Sequence, residues 1–349
     1  MKKKAIIALS GGLDSLGAAL ILKKKADYDI SAVFMRLDSL GQGEEKRVKE
    51  ISNRLGLRLE IIDLRKEFQE KVINYFLEEY KKGRTPNPCI VCNKEIKFGL
   101  LLEKTLKELK GDFLVTGHYV RSEKGDKIKL FRAKDKEKDQ SYFLWQLNQK
   151  QLKRVLFPLG NYLKKEIRLM VKRAGFNVSR MPESQELCFV KKDYRLFLKE
   201  RIEPEPGDII DDKGKIVGQH QGLYFYTIGQ RRKFDLSSKT KEPTTKPYYV
   251  IAKDLDNNRL IVTQEREKLF GKEAVIKELK WLSGQKPELP LSVMAKIRSQ
   301  APLAEAHLSC LRKGQYKVIF KKPQLSFSPG QSLVFYSSWE ELLGGGIII

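Results

Sequence analysis

The apolar positions of the chain fall into two rhythms. "KKAIIAL", "DISAVFM", "RLEIIDL" and "DFLVTGH" are short, nearly continuous β-branched runs, as in strands covered on both faces of a parallel sheet. Between and after them, apolar residues recur at helical spacing over about 14–26, 43–55, 66–82 and 92–110. Strand and helix alternating in this order predict an α/β domain built on a doubly wound parallel sheet. "LKKEIRLMVKRAGF" (163–176) adds an amphipathic helix closed by Gly175, read with Lys164, Lys165, Arg168 and Lys172 as a basic stripe opposite Ile167, Met170 and Val171.

The rhythm changes at the proline-punctuated "RIEPEPGD" (201–208). Beyond it, alternating runs meet at turn residues, Asp212-Lys213-Gly214 and Asn257-Asn258 among them. "LSVMAKIRSQ", "QYKVIFKKP" and "QSLVFYSS" continue the pattern, and the terminal "GGGIII" can pair as a last strand. The expected architecture is an α/β domain over 1–202, a central β domain over 203–268 and a C-terminal β-barrel over 269–349, the last two being small barrels or sandwiches.

Charge narrows the partners. Among 349 residues, 68 Lys and Arg stand against 44 Asp and Glu, a formal +24 that favours a polyanion, either nucleic acid or an anionic membrane surface. No apolar run approaches the roughly 20 residues that span a bilayer. "MKKKAIIALSGG" imitates a signal peptide, but its apolar run is too short. A cytoplasmic protein is expected, where four sparse cysteines serve chemistry rather than disulfide structure.

Candidate chemistry begins where the first strand meets the first helix. In "IIALSGGLDS", Ser10, Gly11, Gly12 and Ser15 can wrap anionic oxygens with N–H groups and hydroxyls, and Asp14 can hold Mg²⁺ beside phosphates. The loop lacks the Lys-Ser/Thr ending of a γ-phosphoryl-transferring P-loop. S-G-G-x-D-S resembles instead the pyrophosphatase loop of ATP-dependent adenylating enzymes. "TPNPCIVCNKEIKFG" places Cys89 and Cys92 three apart after Asn87 and Pro88, in a loop expected to be exposed; a redox pair, two metal ligands or one working thiol all fit that spacing. Lys94 and Lys97 near a helix start predict a lowered thiol pKa for Cys92. Cys188, in "MPESQELCFV", reads by itself as a small buried hydrophobe, and Cys310 as a core residue of the last domain.

"SGGLDS", "GRTPNPCIVCNKEIKFG", "TGHYVR", "KDQSYFL", "SQELCFV", "GQHQGLYFYTIGQRR" and "PGQSLVFY" occur in the order seen in tRNA-specific 2-thiouridylases, the MnmA family, and this resemblance spans essentially the whole chain. It implies an ATP-pyrophosphatase α/β domain and two β domains that grip tRNA. The implied reaction adenylates the 2-carbonyl oxygen of the wobble uridine in tRNAs for Lys, Glu and Gln, releases pyrophosphate and displaces AMP with sulfur. By motif, Ala8, Leu9, Ser10, Gly11, Gly12, Leu13, Asp14, Ser15, Met35 and Gly117 are implied to line the ATP site. Cys188 is implied to carry a persulfide and Cys92 to be its partner thiol. Asn87, Pro88 and Cys89 are implied to meet the extruded base, and His118, Lys138, Asp139, Gln140, Arg298, Ser299 and Gln331 other parts of tRNA. Read without the resemblance, His118 is more simply structural and "KDKEKDQ" a solvated charge run. A desulfurase relay protein or free sulfide would supply the sulfur.

Two departures stand out. The family pattern has Asp where this chain has Cys89, so Cys89, Cys92 and Cys188 can converge as three ligands of a [4Fe–4S] cluster with one iron open, as in related thiolases. Cys89 is then either a bystander in a persulfide enzyme or a cluster ligand. An exposed spare thiol beside a reactive one invites unwanted disulfide formation, which leans toward the cluster. The segment after Met35, "RLDSLGQGEEKR", is also shorter than in the family. Two other functions compete: an adenylating ligase on a small substrate, which needs no basic surface, and a non-catalytic tRNA-binding module, which has no use for an intact phosphate loop.

Overall fold

In a computed structural model the described residues are 2–37, 42–181, 187–190, 193–232 and 246–349. The shortened segment after Met35 lies partly outside them, as do most of the residues on either side of Cys188.

The first domain is a parallel sheet in the order β3-β2-β1-β4-β7. Its strands are β1 (Lys3–Ala8), β2 (Tyr28–Arg36), β3 (Leu59–Asp63), β4 (Phe113–Val115) and β7 (Val155–Leu156). β5 (Val120–Glu123) and β6 (Lys129–Arg132) form a separate hairpin. The order reverses between β1 and β4, and in such sheets ligands bind at the carboxyl ends of the strands flanking that reversal. Helices α1 (Leu13–Lys23) and α2 (Gln42–Leu55) follow the first two strands. The third helix, α3, runs through Arg65–Phe68, a π segment Gln69–Ile73, and Asn74–Lys81. The fourth, α4, runs through Pro88–Val91, a second π segment Cys92–Leu101, and Leu102–Lys107. The sequence placed this helix from about 92; the structure starts it at Pro88, where the missing N–H of proline costs nothing. Cys89 and Cys92 therefore sit on a helix rather than in a loop.

A fifth helix, α5 (Lys164–Arg173), packs on α1 at Gly17, where an added Cβ would stand 2.4 Å from Ile167. That close approach corrects the expected stripe. At about 100° per residue Lys164 shares the face of Ile167 and Val171, both buried, rather than opposing it.

The central domain holds β8 (Gly207–Asp211), β9 (Ile216–His220), β10 (Arg231–Arg232), β11 (Tyr248–Asp254) and β12 (Arg259–Thr263), which form one sheet in the order β10-β11-β12-β8-β9. The last domain is a closed barrel of β13 (Phe270–Trp281), β14 (Leu291–Lys296), β15 (Ala304–Arg312), β16 (Gln315–Leu325), β17 (Ser332–Tyr336) and β18 (Leu342–Ile348). The "GGGIII" tail forms β18, where side chains at Gly344 and Gly345 would strike the Lys280 backbone and the Trp145 ring. Cys310, expected in this core, shares the parity of the buried Ala306 and Leu308 but is exposed, because it lies near the end of β15 where the pairing with β16 slips between Cys310 and Arg312.

Barrel and sheet share one core. Leu282, Val334, Tyr336 and Leu342 pack with Tyr142, Leu144 and Trp145. Ser332 accepts from the Tyr142 hydroxyl at its carbonyl (2.7 Å) and from the Trp145 indole N–H at Oγ (3.1 Å).

Candidate active site

The loop after β1 is built for an anion. Gly11 takes φ +76°, a backbone conformation closed to most side chains. The Ser15 hydroxyl accepts from the Ser10 N–H (3.1 Å) and donates to the Gly12 carbonyl (3.1 Å), pinning the turn. α1 opens at Gly12 with no side-chain cap, so its first N–H groups and its dipole face the loop. Leu9 and Leu13 are buried, so what they and Ala8 offer a ligand is backbone; Met35 packs half-buried at the end of β2.

Asp14 carries this loop's negative charge. Its Oδ1 accepts from the Tyr119 hydroxyl (3.0 Å) and the Lys164 ammonium (2.5 Å). The Asp14 and Lys164 side chains are only 21% and 17% exposed, which makes the pair stiffer than a surface ion pair. The Lys164 ammonium also lies 5.8 Å from the centre of the Tyr119 ring. Burial and the Asp14 charge raise the Tyr119 pKa, so its hydroxyl stays a donor. Neither residue is singled out by a motif role in the sequence. A signal for Lys164 was present: a lysine three and seven residues before two apolar core positions, at the start of a helix.

Gly117, after β4, meets the same loop. An added Cβ would stand 2.7 Å from the Asp14 carbonyl carbon and 2.9 Å from the Ser15 nitrogen. The next residue, His118, turns inward. Its ring lies 5.5 Å from Phe98 and 6.1 Å from Phe157, Nδ1 is 2.8 Å from the Thr116 hydroxyl, and it is buried. Burial and then the Lys97 charge hold its pKa well below the ordinary histidine value. His118 thus belongs to the aromatic interior rather than to a tRNA-facing surface.

Phe98, which meets the His118 ring, sits on the same π segment as Cys92. π turns often mark functional sites, and this one begins at Cys92 itself. Cys92 is buried and Cys89 half-buried. Burial pushes the Cys92 thiol up to about 12 and the Cys89 thiol up to about 11, with Lys97 opposing in both cases. The expected lowering of the Cys92 pKa is therefore overturned: desolvation outweighs the nearby lysine. Cys188 is exposed, not the small core residue that its local sequence suggested, and its charge is felt at both other thiols.

The remaining candidate residues divide. Gln331 donates to the Thr85 carbonyl (2.9 Å) and the Thr85 N–H donates to Pro329 (2.8 Å), so the barrel clamps the strand of chain leading to Asn87. Asn87 caps α4 with its backbone and bonds Tyr142 through its side chain, and Pro88 is buried. Lys138 and Arg298 are exposed and Ser299 half-buried. Asp139 is not available to tRNA: its carboxylate is 1% exposed, accepting from Arg132 (3.0 Å), the Ala133 N–H (3.0 Å) and the Ser141 hydroxyl (3.0 Å). Gln140 accepts from the Tyr119 N–H (3.0 Å), again an internal contact.

Among the described residues no three His, Cys, Asp or Glu side chains are grouped to hold a metal ion. A Mg²⁺ at Asp14 needs phosphate oxygens to complete its shell, which suits an ion that arrives with a nucleotide. The three cysteines are not grouped as the ligands of a [4Fe–4S] cluster in this arrangement: Cys92 is buried and Cys89 half-buried on one helix, and Cys188 is exposed.

Comparison with known proteins accounts for the whole chain. Residues 3–192 match a tRNA methyl transferase HUP domain, 195–264 a tRNA methyl transferase PRC-barrel domain, and 272–348 an aminomethyltransferase beta-barrel domain. The chain is 40% identical over 348 residues to the tRNA-specific 2-thiouridylase MnmA of Syntrophomonas wolfei, covering 99% of each. It is 41% identical over 367 residues to MnmA 2 of Thermoanaerobacter sp., covering 100% of this chain and 98% of the relative. A solved structure of the U34-tRNA thiolase NcsA from Methanococcus maripaludis resembles it at TM-score 0.36 and 21% identity, over 57% of this chain and 63% of that one, too slight a likeness to bear on its chemistry. No helix among the described residues is long and apolar enough to cross a membrane. An ATP-binding HUP sheet and two β domains, matched end to end, place the chain in the tRNA-specific 2-thiouridylase family, the enzymes that put sulfur on a tRNA uridine.

Proposed function

We propose that the uridine is the wobble base of tRNAs for Lys, Glu and Gln, and that a Cys188 persulfide delivers the sulfur. Support comes from one contact. The barrel grips the chain at Thr85 through Pro329 and Gln331, so a tRNA held by the barrel presents its base to the helix start carrying Cys89 and Cys92. A paired or stacked base must be extruded to reach that point.

The uracil 2-oxygen is a poor leaving group until ATP adenylates it. The uncapped start of α1 and the N–H groups of Gly11 and Gly12 would cradle the phosphates, Asp14 would hold the Mg²⁺ that accompanies them, and Lys164, released from Asp14, would follow the departing pyrophosphate. The terminal sulfur of the Cys188 persulfide then attacks C2 and AMP leaves. The Cys92 thiolate attacks Cys188 Sγ, the persulfide S–S bond breaks, and its electron pair stays on the sulfur bound to C2 as the thione. A Cys92–Cys188 disulfide results, which a thiol reductant returns to two thiols. Cys89 has no step in this sequence.

The test supplies ATP, a persulfide donor and each tRNA, and reads pyrophosphate release together with 2-thiouridine by nucleoside mass analysis. Cys188→Ser should abolish thiolation while pyrophosphate release and tRNA affinity stay within a few-fold; Cys89→Ala should thiolate. Absence of tRNA-stimulated pyrophosphate release would sink the proposal, and loss of thiolation in Cys89→Ala would reinstate a three-cysteine chemistry.

A further inference from the structure

Trp339 is the most exposed of the large apolar side chains among the described residues, at 84%. It stands on the turn between β17 and β18, and the turn does not need its ring. The Ser337 hydroxyl accepts the backbone N–H groups of Trp339 (3.2 Å) and Glu341 (3.1 Å), and the Ser337 N–H donates to the Glu341 carbonyl (2.9 Å). Glu340, at φ +64°, is tied by Arg132 (3.0 Å), Lys136 and Arg121 (4.0 Å), and Glu341 by Lys129 (3.1 Å). Position 339 contributes only its backbone to this network. A locked turn thus holds an indole out in water.

Its surroundings select the occupant. Arg121, Lys129, Arg132 and Lys136 meet Glu340, Glu341 and Asp139, while Lys138 and Glu137, both exposed on the same loop as Lys136, have no ion-pair partner among the described residues; the pull on a polyanion comes from the formal +24 of the whole chain. A flat π surface bordered by cations on a strongly basic chain is an arrangement that takes a stacked base with its phosphates. The surface is also continuous with the one that meets tRNA. Lys136 on the 133–140 loop bonds Glu340, and Ser141 bonds Tyr336 at the end of β17 (3.0 Å). Gln331 at the Thr85 clamp and Trp339 lie beyond opposite ends of β17, whose five residues alone span roughly 14 Å at about 3.4 Å per step. Trp339 cannot reach the target base from there.

We propose that Trp339 stacks on an unpaired base of the tRNA outside the anticodon arm, a second point of recognition that orients the tRNA body. This rests on tRNA being the substrate. The experiment compares full-length tRNA with an isolated anticodon stem-loop at one salt concentration, using the wild-type enzyme, Trp339→Ala and Trp339→Phe. Loss of a base–aromatic stack should weaken full-length tRNA binding about 5- to 100-fold in Trp339→Ala. Trp339→Phe should keep most of the affinity, and the stem-loop should bind all three proteins alike. Thiolation kcat at saturating tRNA should be unchanged. Full-length tRNA should also quench wild-type emission more than that of Trp339→Phe, because the other two tryptophans are shielded, Trp145 fully buried and Trp281 half-buried. Equal affinity of Trp339→Ala for full-length tRNA overturns the contact, as does an equal loss with both RNAs. Wild-type self-association that disappears in Trp339→Ala would also overturn it, by making the indole a contact between copies. A wild-type protein that binds neither RNA would instead bring down the tRNA function itself.

Discussion

Adding one methyl group at Gly117 tests whether the turn after β4 borders the ATP site. Gly117 is not among the glycines with positive φ, so alanine there carries no backbone strain and its whole effect is steric. The new Cβ would lie 2.7 Å from the Asp14 carbonyl carbon and 2.9 Å from both its oxygen and the Ser15 nitrogen, where ordinary contact begins at 3.4 Å. The two backbones must therefore part by about 0.7 Å, the difference of those distances, and no rotamer can absorb it because every atom met is main chain. Such overpacking costs about 1–3 kcal/mol. The atoms displaced are those that would hold phosphate, so at 1.4 kcal/mol per tenfold the KM for ATP should rise about 5- to 150-fold. Pyrophosphate release titrated with ATP at saturating tRNA reads this directly, and tRNA affinity should not change. Gly125→Ala is the control, since its Cβ would meet nothing nearer than 3.8 Å. A KM within twofold of wild type, with an unchanged unfolding midpoint, would refute the placement of residues 116–118 at the nucleotide.

Lys164→Met removes the ammonium from Asp14 while keeping much of the side-chain length; KM for ATP should rise about 10- to 100-fold, the worth of one charged hydrogen bond, and an unchanged KM would confine Lys164 to structure. His118 supplies a pH signature. Its folded pKa is depressed while the unfolded chain titrates near 6.5, so below about pH 6.5 the unfolded state binds the extra proton and stability falls as pH falls. His118→Phe keeps the ring against Phe98 and Phe157 and should lose less urea-midpoint stability than wild type between pH 7.5 and 5; equal losses would refute the assignment.

Strands and helices that reach full length were legible because each carries several periods of its pattern. β7 was missed because its two residues, Val155 and Leu156, cannot show a period. The phosphate loop was legible in full, since glycine and hydroxyl spacing alone define it. Its electrostatic partners were not: Tyr119 and Lys164 lie 105 and 150 residues from Asp14, and the Gly17–Ile167 packing, with the Lys164 N–H bonded to Asp135, brings Lys164 over it. The thiols were misjudged for a related reason. Lys94 and Lys97 are visible in sequence, whereas the burial that outweighs them comes from packing of α4 against the sheet. Asp139 shows what a motif leaves out, because the burial of its carboxylate against Arg132, Ala133 and Ser141 comes from packing.

The core shared between sheet and barrel constrains how the protein is made. Leu282, Val334, Tyr336 and Leu342 fill a cavity among residues that include Leu114, Leu144, Trp145 and Val155. At roughly 5–20 residues per second, Leu342 leaves the ribosome on the order of ten to forty seconds after β7. Throughout that interval the nascent first domain exposes the indole of Trp145 and its apolar neighbours, so a stall or truncation before β17 leaves a protein with all its sheet strands and an open side. Chaperone demand should therefore track the arrival of the last domain rather than completion of the first.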